Sequence, residues 1–282
     1  MIQIRPPRQL NLKRRAQKKA LSTINALGYT VVETIPHDME PAFIELYWTC
    51  RPYTMTPITR MYALYQAVRY LDLHDVPGAI VECGVWRGGS MMLAAMTLQQ
   101  IGANHRDLML FDTYEGQPAP TEHDVTFTGS RATDRWNEAT TAGTLDPEAI
   151  PAHLRALASL DEVRANLQAT GYPMDRVTFV QGLVEETIPE QAPHDIALLR
   201  LDTDWYASTS HELRHLYPRV SDGGVVIIDD YGFWQGAKAA TDAYFQEHRI
   251  PMLLQRIDDS GRIGITRDPL VTVSHREHER RR

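Results

Sequence analysis

Acidic residues end two apolar segments of this 282-residue chain, at points where strands would leave a sheet. Asp202 follows DIALLRL, and Asp229 and Asp230 follow GGVVII. Parallel strands emerge at one edge of a sheet, about 4.8 Å from their neighbours, so these carboxylates would crowd into one small volume. Their repulsion would raise their pKa values unless a cation neutralised them, and oxygen ligands at this density suit Mg²⁺ or Mn²⁺, or Ca²⁺ less strictly. The pattern predicts a divalent-cation site.

A glycine-rich turn, VECGVWRGGS, would join a strand to a helix over residues 81–90. Gly84, Gly88 and Gly89 allow the backbone to turn tightly and approach a ligand closely, and the following helix offers its N-terminal amides. The spacing is neither G-x-G-x-x-G nor a lysine-containing P-loop. Glu82 would repel a pyrophosphate but could accept a hydrogen bond from an ammonium group. This combination favours a cationic ligand such as S-adenosylmethionine over NAD.

Two further positions are typical of a nucleoside site. Asp112 ends the segment LMLFD, where a carboxylate can accept hydrogen bonds from both ribose hydroxyls. Gln181 and Gly182 end the segment RVTFVQG and could contact an adenine edge. NAD enzymes hold ribose in the same way, so Asp112 indicates a nucleoside without choosing which one.

Short apolar segments that alternate with helical ones would position these residues. Continuous apolar strands separated by helices predict an α/β fold, with a mostly parallel sheet and helices on both faces. A closing hairpin joined by Asp259-Ser260-Gly261 predicts one antiparallel strand at an edge. The five parallel strands are expected within residues 78–85, 107–112, 176–182, 195–202 and 223–231.

Three regions lie outside this alternation. Residues 1–77 predict an N-terminal helical region packed on the core, which would begin with a basic, solvated arm. Residues 114–155, rich in Gly, Pro, Thr and charge, form an insertion in the 78–270 domain that is too long for an ordinary loop, and we expect a lid. Residues 271–282 predict a flexible tail.

Composition argues against several classes of protein. A formal net charge of −7 disfavours a nucleic-acid binder, and no apolar stretch reaches the roughly 20 residues that span a bilayer. The two cysteines, Cys50 and Cys83, fit a reduced, cytoplasmic setting, with Cys83 buried in a strand. We expect a cytoplasmic protein that acts on a small molecule, and the N-terminal helices are compatible with a homo-oligomer.

Four motifs, in order, resemble the macrocin O-methyltransferase (TylF-type) family across about residues 50–265. They are VECGVWRGGSMML, LFDTYEG with PTEHDV soon after, LLRLDTDWYAST, and GGVVIIDDYGFWQGAKAATDAYF. The resemblance implies a Rossmann-like class I methyltransferase fold that uses S-adenosylmethionine and a metal ion, Mg²⁺ or Mn²⁺. It also implies methylation of a sugar hydroxyl on a bacterial glycosylated natural product, such as a macrolide or an aminocoumarin antibiotic.

The resemblance also assigns roles to individual residues. The family's Mg²⁺ ligands fall on Asp202, Asp229 and Asp230, and a carboxylate that acts as general base in some members falls on Asp204. Matches to cofactor-binding positions fall on Glu82, Gly84, Asp112, Ser90 and Thr56. The segment GSRATDRWNEATTAGT matches no family pattern, so the acceptor stays open.

Three other functions compete with sugar methylation. A metal-dependent methyltransferase could act on a catechol, whose vicinal hydroxyls chelate the same ion. A nicotinamide-dependent oxidoreductase is disfavoured by Glu82 and the acidic cluster, and a non-catalytic binding domain would need neither cofactor nor metal. Thr209 and Glu212, which follow the Asp204 motif, have the spacing of a helix capping box and are expected to be structural.

Overall fold

The computed structural model of the chain describes residues 35–141 and 156–267. The described residues of its smaller compact unit, 35–39, contain no helix or strand. All elements below belong to the larger unit, Glu40–Arg282. Parts of three predicted regions therefore lie outside the described residues. They are residues 1–34 of the N-terminal region, 142–155 of the insertion and 268–282 at the tail.

The core is a seven-stranded sheet in the order β3-β2-β1-β4-β5-β7-β6. Strands β1 to β5 are mutually parallel, and β7 is antiparallel to both β5 and the outermost strand β6. The strands are β1 Ala79–Cys83, β2 Leu108–Asp112, β3 Val177–Gln181, β4 Ile196–Leu201, β5 Val220–Ile228, β6 Gln255–Arg256 and β7 Arg262–Ile265. This topology confirms the predicted mostly parallel sheet and its closing antiparallel hairpin.

Helices cover the sheet because its central strands are apolar along their whole length. Every residue of β1 and β4 is buried. Val81 and Leu199 pack in one core cluster with Leu213 and Leu216, whereas neighbours such as Ile80 and Leu198 point to the opposite face and are equally buried. Two helical layers are therefore required.

The helices fall into two groups that both contact β4. Helices α1, α2 and α3 pack against one another on one side, and α6, α7 and α8 pack together on the other. The bounds are α1 Pro41–Cys50, α2 Ile58–Leu73, α3 Gly89–Gln100, α4 Ala132–Thr141, α5 Leu160–Ala169, α6 Val184–Thr187, α7 Tyr206–Leu216 and α8 Gln235–Glu247.

Two further features of the fold concern the cysteines and the length and apolarity of the helices. Cys83 is a buried residue of β1 and carries a free thiol, as does the buried Cys50, so the predicted burial of Cys83 is confirmed. Within residues 35–141 and 156–267, no helix combines the length and apolarity that crossing a membrane requires.

Candidate active site

The ends of β1, β4 and β5 meet through backbone hydrogen bonds that extend the sheet by one residue. The Asp202 amide donates to Cys83 O at 2.9 Å, and the Asp229 amide donates to Leu201 O at 2.9 Å. Gly84 has φ +82°, and a Cβ atom there would lie 2.6 Å from the carbonyl carbon of Asp202. Only glycine allows this close approach, which brings the glycine-rich turn beside the first aspartate.

The three predicted metal ligands do come together. One carboxylate oxygen each of Asp202, Asp229 and Asp230 lies within 4.8 Å of the other two. Asp202 is the most open, with 27% of its side chain exposed, against 5% for Asp229. Burial raises the pKa of Asp230, and the nearby Asp204 and Asp229 raise it further. The cluster holds more negative charge than its surroundings readily accept.

A buried arginine partly neutralises the negative charge of this cluster. Arg200, on β4, places Nη2 2.8 Å from an Asp202 oxygen and 2.6 Å from an Asp229 oxygen. Its Nη1 pairs with Glu82, and Nη2 also donates to Thr56 Oγ1 at 3.1 Å. Sequence reasoning missed Arg200, although an arginine inside the apolar run IALLRL is itself a signal, because a buried charge needs partners.

A second arginine reaches the cluster from α2. Arg60 pairs with the other Asp229 oxygen through Nη1 and with Asp258 through Nε at 2.8 Å. Asp258 lies in the turn between β6 and β7, so Arg60 links the acidic cluster to the closing hairpin. Nothing in the local sequence around Arg60 indicated this role, because its partners lie far away along the chain.

Asp204 occupies an unusual backbone position beside the cluster. Its φ is +65°, and the Trp205 amide donates to Thr203 O at 2.7 Å, which makes a three-residue γ-turn. Trp234 Nε1 donates to one carboxylate oxygen at 2.6 Å, and Gln117 Nε2 donates to the other. Burial raises the pKa of Asp204 to about 7, with Asp202 adding to the shift and the hydrogen bonds opposing it.

Asp112 forms the opposite wall of the site, and the backbone holds it. Its Oδ2 accepts hydrogen bonds from the amides of Val85 at 2.6 Å and Trp86 at 3.0 Å, and Oδ1 accepts one from Tyr114 at 2.8 Å. Burial raises the pKa of Asp112, and these amides oppose the rise. The carboxylate therefore fastens the glycine-rich turn to the end of β2.

A cleft lies between these two walls. Five of the predicted site residues line the cleft. The other predicted site residues belong to the described part of the chain but do not line it. Those that line it are Gly84, Asp112, Gly182, Asp202 and Asp204. Phe111 and Leu183 add apolar surface, which suits the flat face of a nucleoside base.

The remaining predicted cofactor residues do not line the cleft. Glu82 pairs with Arg200 through Oε1, and its Oε2 makes no hydrogen bond within the described residues. Burial raises the pKa of Glu82 to about 7, and Arg200 opposes the rise. Ser90 Oγ lies 3.8 Å from Met61 Sδ, and Gln181 is exposed at the end of β3. Their proposed contacts with a cofactor stay predictions.

The first part of the insertion is attached to the site. Pro118 O accepts a hydrogen bond from Trp205 Nε1 at 3.1 Å, and the fully buried Asp124 accepts one from the Tyr206 amide at 2.9 Å. Thr126 forms an isolated β-bridge with Trp234. These contacts fix the segment that carries Gln117 onto the starts of α7 and α8.

The predicted capping box is wrong. Helix α7 begins at Tyr206 with Trp205 as its N-cap, so Thr209 and Glu212 both lie inside the helix. Asp124 instead accepts the hydrogen bond of the first helical amide, from a different part of the chain. A spacing rule could not identify that long-range cap.

Comparison with known proteins agrees with this geometry. A sequence profile of the macrocin-O-methyltransferase (TylF) family matches residues 8–263. The 8-demethyl-8-(2,3-dimethoxy-alpha-L-rhamnosyl)-tetracenomycin-C 4'-O-methyltransferase of Streptomyces olivaceus is 32% identical over 225 residues, 79% of each chain. Demethyldecarbamoylnovobiocin O-methyltransferase of Streptomyces niveus is 32% identical over 214 residues, 76% of each chain.

A solved structure shows the same fold. The O-methyltransferase NovP is 31% identical in sequence and superposes with a TM-score of 0.64, covering 77% of this chain and 83% of that chain. This likeness and the sheet order confirm the expected class I methyltransferase fold. The extent of the family match shows that the chain belongs to the macrocin-O-methyltransferase (TylF) family and is an O-methyltransferase.

Proposed function

We propose that the protein transfers a methyl group from S-adenosylmethionine to a sugar hydroxyl of a glycosylated natural product, with the help of a divalent cation. The observation that carries this proposal is one cleft that contains both the Asp112 wall and the side chains of Asp202 and Asp204. The Streptomyces olivaceus relative, whose name specifies a rhamnosyl hydroxyl, supports the choice of a sugar acceptor.

The residues present fit S-adenosylmethionine. Glu82 offers a buried oxygen that has no hydrogen-bond partner among the described residues and could accept a hydrogen bond from the ammonium group of a methionine moiety. Gly84 lets the turn pass where any side chain would collide with the Asp202 backbone just after β4, and Gly84 and Gly182 both line the cleft. Bound S-adenosylmethionine supplies an electrophilic methyl group on a positively charged sulfur.

The residues present also fit a divalent cation. Asp202, Asp229 and Asp230 are an oxygen-only donor set, the type that Mg²⁺ and Mn²⁺ prefer. Arg60 and Arg200 already pair with Asp229, and Arg200 also pairs with Asp202, so Asp230 would provide most of the uncompensated charge. A bound cation supplies Lewis-acid stabilisation of negative charge that develops on an oxygen.

The chain's own contribution is to orient the acceptor and to remove its proton. A sugar hydroxyl is a weak nucleophile, so a carboxylate within hydrogen-bond reach must accept the proton during methyl transfer. Asp204 meets this need, because it lines the cleft while Gln117 and Trp234 fix the direction of its carboxylate. We therefore assign Asp204 as general base.

The proposal is tested by assaying S-adenosylmethionine turnover with rhamnosides, other glycosides and catechols, each with and without EDTA. We expect methylation of a glycoside that EDTA abolishes and added Mg²⁺ or Mn²⁺ restores. Full turnover in EDTA would show that the reaction needs no cation. Methylation of catechols alone would show that the acceptor is a catechol and not a sugar.

The aspartates can be separated by substitution. Asp204→Asn should lower kcat by about 10²- to 10⁴-fold, because it removes the base, while cation binding persists. Asp202→Ala should weaken cation binding and raise the acceptor KM. Asp175→Asn, an exposed change of the same chemical type, serves as the control. Unchanged kcat in Asp204→Asn would exclude it as base.

A further inference from the structure

A buried glutamate behind the cleft has no role in the reaction described so far. The side chain of Glu212, on α7, is fully buried, and Oε1 accepts a hydrogen bond from Thr203 Oγ1 at 2.9 Å. Its Oε2 makes no hydrogen bond within the described residues. Burial raises the pKa of Glu212 to about 8, against the effect of the Thr203 hydrogen bond. Such a group is costly to bury, so its retention calls for an explanation.

Thr203, the one hydrogen-bond partner of the Glu212 side chain in the described part of the chain, begins the turn that carries the general base. Thr203 O accepts the Trp205 hydrogen bond that closes the γ-turn around Asp204. A turn of this kind with positive φ is strained, and it persists only where the surroundings determine it on all sides. The neighbours of Asp204 must therefore hold the turn in place.

The contacts that hold the turn come from both ends and from its centre. On the far side, Trp205 is buried and donates to Pro118 O. In the centre, the Asp204 amide donates to an Asp230 oxygen at 3.2 Å. On the near side, the side chain of Thr203 is fixed by Glu212 alone among the described residues. Removing that bond takes away the side-chain contact of the residue whose carbonyl group defines the turn, while a hydrogen bond from Ser208 Oγ to the Thr203 carbonyl, at 3.5 Å, remains.

We propose that Glu212 is a positioning residue, which acts through Thr203 to hold the γ-turn that directs the Asp204 carboxylate into the cleft. This inference rests on the proposed role of Asp204 as general base. Glu212 lines neither the cleft nor the acidic cluster, so its substitution should leave the binding of both substrates unchanged.

The decisive variant is Glu212→Met, which removes both oxygens at similar volume. Replacing a buried, incompletely bonded acid with an apolar side chain is often neutral or stabilising, so Tm should stay equal or rise. Because the base loses its alignment, kcat should fall by about tenfold to 100-fold, with acceptor KM and S-adenosylmethionine Kd unchanged. Glu212→Gln keeps an acceptor for Thr203 and should retain kcat.

A double-mutant cycle tests whether the effect passes through the base. In an Asp204→Asn background, Glu212→Met should lower kcat no further. An equal loss in both backgrounds, or wild-type kcat in Glu212→Met, would overturn the proposal. If Glu212→Met does not fold, Thr203→Val and Thr203→Ser replace it: the first lacks the hydroxyl and should lose kcat, and the second retains it.

A spectroscopic measurement separates this inference from the proposed function. The chain has five tryptophans, and ¹⁵N-tryptophan labelling reports both the Trp205 amide in the turn and the Trp234 indole bonded to Asp204. Both signals should shift in Glu212→Met and stay in place in Glu212→Gln. Unmoved signals refute the positioning role, whereas shifted signals in a protein that methylates no glycoside refute only the proposed function.

Discussion

The two walls of the cleft hold their carboxylates by different means. On the β1–β2 side, Asp112 accepts hydrogen bonds from backbone amides of its own strand end and of the adjacent turn. On the β4–β5 side, Asp202 and Asp229 depend on the side chains of Arg200 and Arg60. The first wall is fixed by the path of the backbone, and the second by charges from distant parts of the chain.

This difference predicts that the two walls respond differently to mutation. Side-chain substitutions other than proline leave the backbone amides in place, so the Asp112 wall should weaken only where the turn or Asp112 itself is changed. An ion-pair network can lose a single guanidinium group, which leaves several buried acids unpaired at once. Three predictions below test this contrast and a fourth concerns a residue of neither wall, in order from the largest expected effect to the smallest.

Removing Arg200 should have the largest effect. Arg200→Met leaves Glu82, Asp202 and Asp229 without their shared partner and should lower the free energy of unfolding by about 3–5 kcal/mol. The control, Arg176→Met, breaks an exposed pair with Asp107 and should cost about 0–1 kcal/mol. Urea denaturation of both variants measures the difference. Similar losses in the two variants would show that the buried network stabilises the fold no more than an exposed ion pair does.

Gly84→Ala should disturb the place where the two walls meet. The new Cβ atom would strain a residue at φ +82°, at about 1–2 kcal/mol, and collide with Asp202, which adds about 1–3 kcal/mol. Gly102→Ala is the matched control, because φ there is +76° and nothing lies within 4 Å. Thermal denaturation and S-adenosylmethionine titration should show a greater loss for Gly84→Ala. Equal losses would mean that backbone strain alone explains the glycine.

Asp112→Asn tests the wall held by the backbone. An asparagine can accept hydrogen bonds through only one oxygen, so its NH₂ group would face one of the amides of Val85, Trp86 or Tyr114. We expect a stability loss of about 1–3 kcal/mol and weaker S-adenosylmethionine binding. Asp107→Asn, at the exposed start of β2, is the control. If calorimetry shows that the variant binds S-adenosylmethionine with unchanged affinity, Asp112 does not contact the cofactor.

The contrast also explains what the sequence could predict. Asp112, Gly84 and the strands that carry them follow from local patterns, because apolar runs, glycines and strand ends act within a few residues. The convergence of Asp202, Asp229 and Asp230 was predictable because parallel strands bring their ends together. Arg60, Gln117 and Trp234 were not, because their partners lie 169, 87 and 30 residues away in the chain. Glu212 was misassigned because its spacing to Thr209 imitated a local cap.

The smallest effect, counted per unit of pH, should come from Glu212, which belongs to neither wall. Its pKa is raised from 4.5 to about 8 in the folded state, so between these values the folded protein binds a proton that the unfolded chain has released. Its stability contribution is therefore complete below about pH 4.5 and is lost as pH rises toward about 8. Glu212→Gln should flatten the pH dependence by about 1.4 kcal/mol per pH unit within this window, measured by urea denaturation. Glu247→Gln, an exposed change of the same type on α8, should leave the slope unchanged. An identical slope in wild type and Glu212→Gln would show that Glu212 stays ionised in the fold, held by a contact stronger than the one with Thr203.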